Sequence, residues 1–132
     1  MKCMTGGSRL KKRLFVTGLT GFTGQHTQSR LQADASEWEL LPVPCRYDLA
    51  APDSLEGLWP ALPDVVIHLA GQTFVPDAFR DPAHTLNINL LGTLNLLRAF
   101  KACGFTGTFL YVSLLGARAE HSQPDRNHRM EA

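Results

Sequence analysis

Leu14-Phe15-Val16-Thr17-Gly18-Leu19-Thr20-Gly21-Phe22-Thr23-Gly24 decides the fold, because it reads as a strand, a glycine turn and the start of a helix without interruption. Leu14 to Val16 is a short apolar run of the kind that forms a strand buried on both faces. Gly18, Gly21 and Gly24 then come at three-residue spacing where a helix should open. In such a turn the first glycine permits a sharp bend and the second lets backbone approach a diphosphate. The third lets helix and strand pack closely. The N–H groups left free at the helix N-terminus face the anion. A glycine triplet alone also fits an ordinary loop; the strand in front of it turns the reading towards a phosphate cradle.

Downstream of the turn, residues 22–33 are expected to form a helix with a thin apolar face. Thr23 and Thr27 fall where it should meet a sheet, which leaves Phe22 and Leu31 as its main anchors. Trp38 to Val43 reads as a second strand shortened by Pro42 and Pro44, and the segment after it holds at most a brief strand ending near Leu49. Asp53 to Trp59 reads as a short helix capped by Asp53 or Ser54, with Leu55, Leu58 and Trp59 turned inward and Pro60 and Pro63 behind it. Val65 to Ala70 is a continuous β-branched strand that stops at Gly71. Gln72 to Asp81 reads as a loop, and Pro82 opens a long helix that Gly104 ends. Leu86, Leu90, Leu94 and Leu97 recur along that helix at helical spacing, which predicts that they are core residues. Thr108 to Ser113 is a further buried strand. Strands alternating with helices imply a parallel sheet of the doubly wound α/β class.

The 132 residues allow one domain, and 44% hydrophobic with 19% charged residues describe a globular chain rather than a disordered or fibrous one. A formal net charge of +1 gives no electrostatic reason to expect nucleic acid or an anionic membrane as partner. Lys11-Lys12-Arg13 reads as a solvated lead-in to the first strand. Cys3, Cys45 and Cys103 are too few and too widely spaced for a disulfide framework or a zinc site, so no metal is expected and a reducing cytoplasm fits. No run approaches the roughly 18 apolar residues of a membrane span, and no apolar segment of a signal peptide comes after the basic residues near the N-terminus.

The segment Thr17-Gly18-x-x-Gly21-Phe22-x-Gly24 resembles the extended short-chain dehydrogenase/reductase family, the nucleotide-sugar epimerases, dehydratases and reductases. Three later segments continue the resemblance in order. Tyr47-Asp48-Leu49 is similar to the aspartate and next residue that bind adenine in the family, although Asp48 alone equally fits a turn residue. His68-Leu69-Ala70-Gly71 resembles the family segment that lines the ribose and nicotinamide side mainly with backbone, and His68 itself reads as a satisfied core histidine. Asn89-Leu90-Leu91-Gly92-Thr93 resembles a helix motif whose asparagine faces the cofactor and whose glycine permits close packing.

The resemblance implies a Rossmann-type doubly wound parallel sheet over residues 1–113, truncated after about the fifth strand. It implies a dinucleotide held by Gly18, Thr20, Gly21, Phe22, Gly24, Asp48, Leu49, Leu69, Ala70, Gly71 and Asn89. Arg46 stands near the end of the second-strand region, where its planar fork could pair with a 2′-phosphate. NADP is therefore favoured over NAD, with Arg46 as a mere surface residue the alternative. Within the family, Pro42 to Leu49, Gln72 to Pro76 and Arg80-Asp81-Pro82 look most like reductases of GDP-6-deoxy-4-keto-mannose, relatives of GDP-mannose 4,6-dehydratase that form GDP-rhamnose.

The family pattern stops abruptly. Ser113 matches the first, non-catalytic serine of a pair, Leu114 stands at the catalytic hydroxyl position, and residues 115–132 contain neither tyrosine nor lysine. The family's Tyr-x-x-x-Lys pair is thus missing and no catalytic residue is assigned; a GDP-sugar substrate is expected only for a full-length relative. Residues 114–132 read as an exposed tail without family resemblance. The expectation is an interrupted enzyme, its alternatives being a genuine short cofactor-binding or partner-binding module, or a structural protein with a decayed site.

Overall fold

The computed structural model describes residues 11–34, 37–43, 47–59 and 61–112. Arg46, Ser113, Leu114 and the 114–132 tail lie outside the described residues. The chain runs through strand β1 (Lys12–Thr17), helix α1 (Phe22–Ala33), strand β2 (Trp38–Leu40), a single 3-10 turn (Pro52–Leu55) and strand β3 (Val65–His68). Helix α2 (Val75–Arg80) is next. Then come α3 (Pro82–Leu86), a π turn (Asn87–Leu91) and α4 (Gly92–Ala102), before strand β4 (Thr108–Tyr111).

The described strands form one parallel sheet in the order β2-β1-β3-β4. β1 lies against β3 with Leu14 opposite Val65 and Thr17 opposite His68. Asp64 sets this register twice, since its carboxylate accepts from the Arg13 N–H at 2.7 Å and its own N–H donates to the Arg13 carbonyl at 2.8 Å. Side chains alternate across a strand, so Phe15 and Thr17 share one face and Leu14 and Val16 the other. On the first face Phe15, Leu49, Leu55, Val66, Leu96 and Phe100 make the core. Trp59 stacks on Phe100 at 4.1 Å and meets Phe15 edge-on at 5.7 Å.

From Pro82 to Ala102 the helix runs on without a break, because the residues joining α3, the π turn and α4 keep right-handed helical dihedrals. Pro82 sits in its first turn, where a missing N–H is harmless. Asp81 caps it by accepting from the His84 N–H at 2.9 Å. At the other end Gly104 adopts φ +77°, its N–H reaching Lys101 and that of Phe105 reaching Phe100, which satisfies the last carbonyls.

The long helix departs from the sequence expectation in the face it buries. Leu86, Leu90, Leu94 and Leu97 are 60, 62, 40 and 42% exposed; the buried row is Gly92, Leu96 and Phe100. At 100° per residue the Leu90-Leu94-Leu97 row and the Gly92-Leu96-Phe100 row are centred roughly 120° apart around the helix axis, so the helix carries two distinct apolar rows. Packing selects the row whose glycine admits a close approach: a Cβ on Gly92 would stand 2.9 Å from the Leu49 Cβ. Phe22 is no anchor either, being 81% exposed with its ring against His26. α1 buries only Gly24 fully.

Asp53 to Trp59 yields one 3-10 turn with Ala51 at its N-cap position. The Ser54 hydroxyl, instead of capping, lies 2.8 Å from the carbonyls of Asp48 and Ala51. Leu55, Leu58 and Trp59 do turn inward. Residues 75–80, expected as loop, form α2 because Pro76 falls in its first turn, where proline is compatible with a helix. Residues 47–49 hold no strand, so the described sheet has four strands rather than five. Among the described residues no helix is long and apolar enough to cross a membrane.

Candidate functional site

In the order β2-β1-β3-β4 the chain leaves β1 towards one side of the sheet and returns to its other side, so strand order reverses between β1 and β3. Open parallel sheets hold ligands outside the carboxyl ends of the strands at such a reversal. Two segments meet there: the glycine turn after β1 and residues 69–74 after β3. Between them open two adjoining clefts of about 360 Å³ each, which share Thr23, Leu69, Ala70, Gly71 and Thr73.

Each glycine of the turn meets a different constraint. Gly18 has φ +74°, and a Cβ there would stand 2.7 Å from the Ala70 nitrogen. Gly24 is buried where a Cβ would run into the Gly18 carbonyl oxygen and come within 2.5 Å of Leu19 Cα. Gly21 has φ −76° and room for a Cβ, which would lie 3.4 Å from the Gly18 oxygen while the residue borders the cleft. The protein's own packing therefore demands glycine at 18 and 24, whereas at 21 it leaves room for a side chain that would project at the cleft. Gly21 is also the N-cap of α1, where no side chain caps the helix and no acidic residue occupies the first turn. Its first N–H groups are thus available to an anion. Gln25 Nε2 donates to the Thr20 carbonyl at 3.0 Å and steadies the turn.

Of the residues expected to hold a cofactor, Gly18, Thr20, Gly21, Phe22, Gly24, Leu69, Ala70 and Gly71 all line the first cleft. Asn89 lines the second beside Gln72, Val75, Ala78, Tyr111 and Val112. Its amide, however, is already occupied: Oδ1 accepts from the Gln72 N–H at 2.7 Å and Nδ2 donates to the Gln72 carbonyl at 2.9 Å. The side chain thus holds the cleft wall as a neighbouring strand would.

Asp48 and Leu49 are not brought to either cleft. The Asp48 carboxylate accepts from the Ala50 N–H in a local turn, while the Leu49 side chain is core and its carbonyl accepts from Asn95. Arg46 lies outside the described residues.

Beneath the clefts lies a buried polar chain whose members the motifs contain but do not explain. Thr17, fully buried, cannot touch a ligand; its hydroxyl stands 2.7 Å from His68 Nδ1 and 3.1 Å from both the Leu69 and Ala70 nitrogens. The other His68 nitrogen, Nε2, meets the Thr93 hydroxyl at 3.0 Å. His68 is therefore the satisfied core histidine that its strand position suggests, and burial lowers its pKa. Tyr47 hydrogen-bonds the Gly18 backbone; burial raises its pKa and that bond partly offsets the rise. The family resemblance puts Thr17 in the segment expected to contact a diphosphate, but the structure buries it beneath the clefts; Tyr47 and Thr93 have no individual role in the sequence reading, because a buried hydroxyl partner leaves no periodic or spacing signal. Among the described residues no three His, Cys, Asp or Glu side chains gather as metal ligands would.

A four-stranded parallel sheet with a glycine cradle at its point of reversal defines a Rossmann-like α/β protein. The chain belongs to the NAD dependent epimerase/dehydratase family, whose profile matches residues 14–126. That match runs past Ser113 into the stretch where no family motif is visible. The chain is 65% identical over 118 residues to GDP-6-deoxy-D-mannose reductase of Pseudomonas aeruginosa, covering 87% of this chain and 39% of that one. It is 36% identical over 90 residues to GDP-6-deoxy-D-talose 4-dehydrogenase of Aggregatibacter actinomycetemcomitans, with 66% of this chain and 30% of that one covered. Among solved structures it is similar to RMD from Pseudomonas aeruginosa complexed with NADPH, at TM-score 0.76 and 69% identity over 80% of this chain and 35% of that one. It is also similar to UDP-glucose 4-epimerase of Thermus thermophilus in complex with NAD, at TM-score 0.58 and 32% identity over 73% and 36% of the respective chains. The chain thus spans about two fifths, 39%, of the reductase it matches.

Proposed function

We propose that this chain is the cofactor-binding part of an NADPH-dependent reductase of a 4-keto GDP-sugar, and that by itself it binds the dinucleotide without turning over substrate. The observation that carries this reading is the 65% identity to a GDP-6-deoxy-D-mannose reductase across a segment that includes the whole glycine cradle. The cradle fits a dinucleotide on steric grounds, since Gly21 leaves open the space that a side chain would fill at the uncapped end of α1.

NADPH, when bound, supplies a hydride to a carbonyl carbon. The chain's own part is binding and orientation. The first N–H groups of α1 receive the diphosphate, and the backbone of Leu69 to Gly71 walls the neighbouring space. Asn89, through Gln72, keeps that wall in place. Arg46 pairs with the 2′-phosphate, which makes NADPH the tighter ligand. Nothing in residues 114–132 supplies the tyrosine that would protonate the substrate oxygen or the lysine that would assist it. Calorimetric titration of NADPH and NADH into the chain and into Gly21→Val tests the reading: wild type binds, NADPH more tightly, and the variant does not. Equal behaviour of the two proteins would remove it.

A further inference from the structure

The hydrogen bonds of Thr17 and Thr93 together fix the tautomer of His68, since the Thr93 proton goes to the Asn89 carbonyl and its oxygen is left to accept from Nε2. A threonine oxygen has two lone pairs and one proton. The Ala70 N–H donates to this hydroxyl at 3.1 Å and the Leu69 N–H is shared between it at 3.1 Å and the Thr17 carbonyl at 3.3 Å, which leaves the hydroxyl proton for His68 Nδ1, 2.7 Å away. Nδ1 is then an acceptor, and the neutral ring carries its proton on Nε2, directed at the Thr93 hydroxyl. Thr93 in turn has its own proton free for the Asn89 carbonyl at 2.7 Å. The chain of bonds thus has a single direction, from the two loop N–H groups through β1 and β3 to the helix.

Its far end is the residue whose side chain clamps Gln72. His68 is 2% exposed and lines neither cleft, yet the residues next to it in sequence are the cleft wall. We propose that His68, as the Nε2-protonated imidazole bonded to Thr93, is a positioning residue for the cofactor cleft. It ties the end of β3 to the helix that bears Asn89 and so sets the wall formed by residues 69–72. This rests on the dinucleotide reading above, and it assigns His68 and Thr93 no contact with the cofactor.

The test has two parts that fail separately. In the wild-type chain, 15N chemical shifts of the His68 ring report a bare Nδ1 and a protonated Nε2; a proton on Nδ1 would overturn the proposal without any variant. Thr93→Val keeps the side-chain shape and removes the hydroxyl, whereas Thr93→Ser keeps the hydroxyl. The valine variant shifts the amide resonances of Leu69 to Gln72 and weakens NADPH binding about tenfold, as befits one buried polar group left unpaired. The serine variant restores both. Unmoved amides in Thr93→Val, or unchanged affinity beside a wild type that binds, would overturn the positioning role and leave the dinucleotide reading intact. A wild type that binds no NADPH while Thr93→Val still moves those amides would overturn the dinucleotide reading instead.

Discussion

Gly21 differs from Gly24 in what the fold requires of it, which lets the proposed ligand role be tested apart from packing. A methyl at position 24 collides with the Gly18 and Leu19 backbone, so Gly24→Ala should destabilise the chain by about 1–3 kcal/mol, the range of overpacking, or by more. A methyl at position 21 meets only the Gly18 oxygen at 3.4 Å, so Gly21→Ala should change the thermal midpoint little while weakening NADPH binding. Paired denaturation and calorimetry check this; a loss of stability in Gly21→Ala equal to that in Gly24→Ala would show that both glycines serve packing alone. His68 gives a second prediction. Burial lowers its folded pKa below the ordinary value of about 6.5, so the unfolded chain binds a proton that the folded chain refuses. Its contribution is fully present above pH 6.5 and is lost as pH falls from there towards the lowered folded value, with a slope of at most about 1.4 kcal/mol per pH unit for one proton. Denaturation midpoints measured between pH 8 and pH 5 should decline in wild type and flatten in His68→Gln. Parallel curves would mean that His68 does not titrate differently in the two states.

The long helix shows why some elements were legible and others not. β1, the glycine turn and α1 arise from contiguous residues, because bend, cap and strand are each set locally. The α4 face is set by what lies across from it: the leucine row and the Gly92-Leu96-Phe100 row have the same period, and only the fit of Gly92 against Leu49 decides between them. The π turn at Asn87–Leu91 likewise has no signature in spacing. Leu96→Ala should therefore cost about 2–5 kcal/mol, as burial and a residual cavity dictate. Leu90→Ala, at a position 62% exposed, should stay within about 0.5–1 kcal/mol. Urea denaturation of the two variants orders them, and the reverse order would mean that the helix is turned the other way. Leu90→Lys with Leu94→Lys should in addition leave NADPH affinity unchanged and reduce self-association at high concentration, since together they break an exposed apolar row.

At the scale of the whole molecule the inner and outer strands of the described sheet do different things. β1 and β3 are paired on both sides, while β2 and β4 are the edges of the described sheet and β4 leaves Leu110 and Tyr111 about half exposed. The glycine turn and residues 69–74 that line the clefts follow β1 and β3, so under the proposed function binding would be separable from chemistry in this chain. The glycine turn is legible in the sequence because glycines announce backbone approaches, whereas Asp48 is not, since its carboxylate serves a local turn equally well. The chemistry would need a proton donor aligned with the hydride, and residues after Tyr111 offer no tyrosine and no lysine. General acid catalysis is commonly worth about 10²–10⁴ in rate, and positioning of the second substrate contributes further. The 132-residue chain should accordingly show no NADPH oxidation with a 4-keto GDP-sugar. Leu114→Ser should not change that, because a hydroxyl without its tyrosine and lysine partners has no proton to relay. Replacing the residues after Ser113 with the corresponding part of the Pseudomonas aeruginosa relative should restore turnover, since it supplies the remaining part of a protein to which this chain is 65% identical over 118 residues. Loss of absorbance of the reduced cofactor reports on all three proteins. Turnover by the unmodified chain would mean that a group other than the family's tyrosine donates the proton, with Tyr111 at the edge of the second cleft the first to examine by Tyr111→Phe.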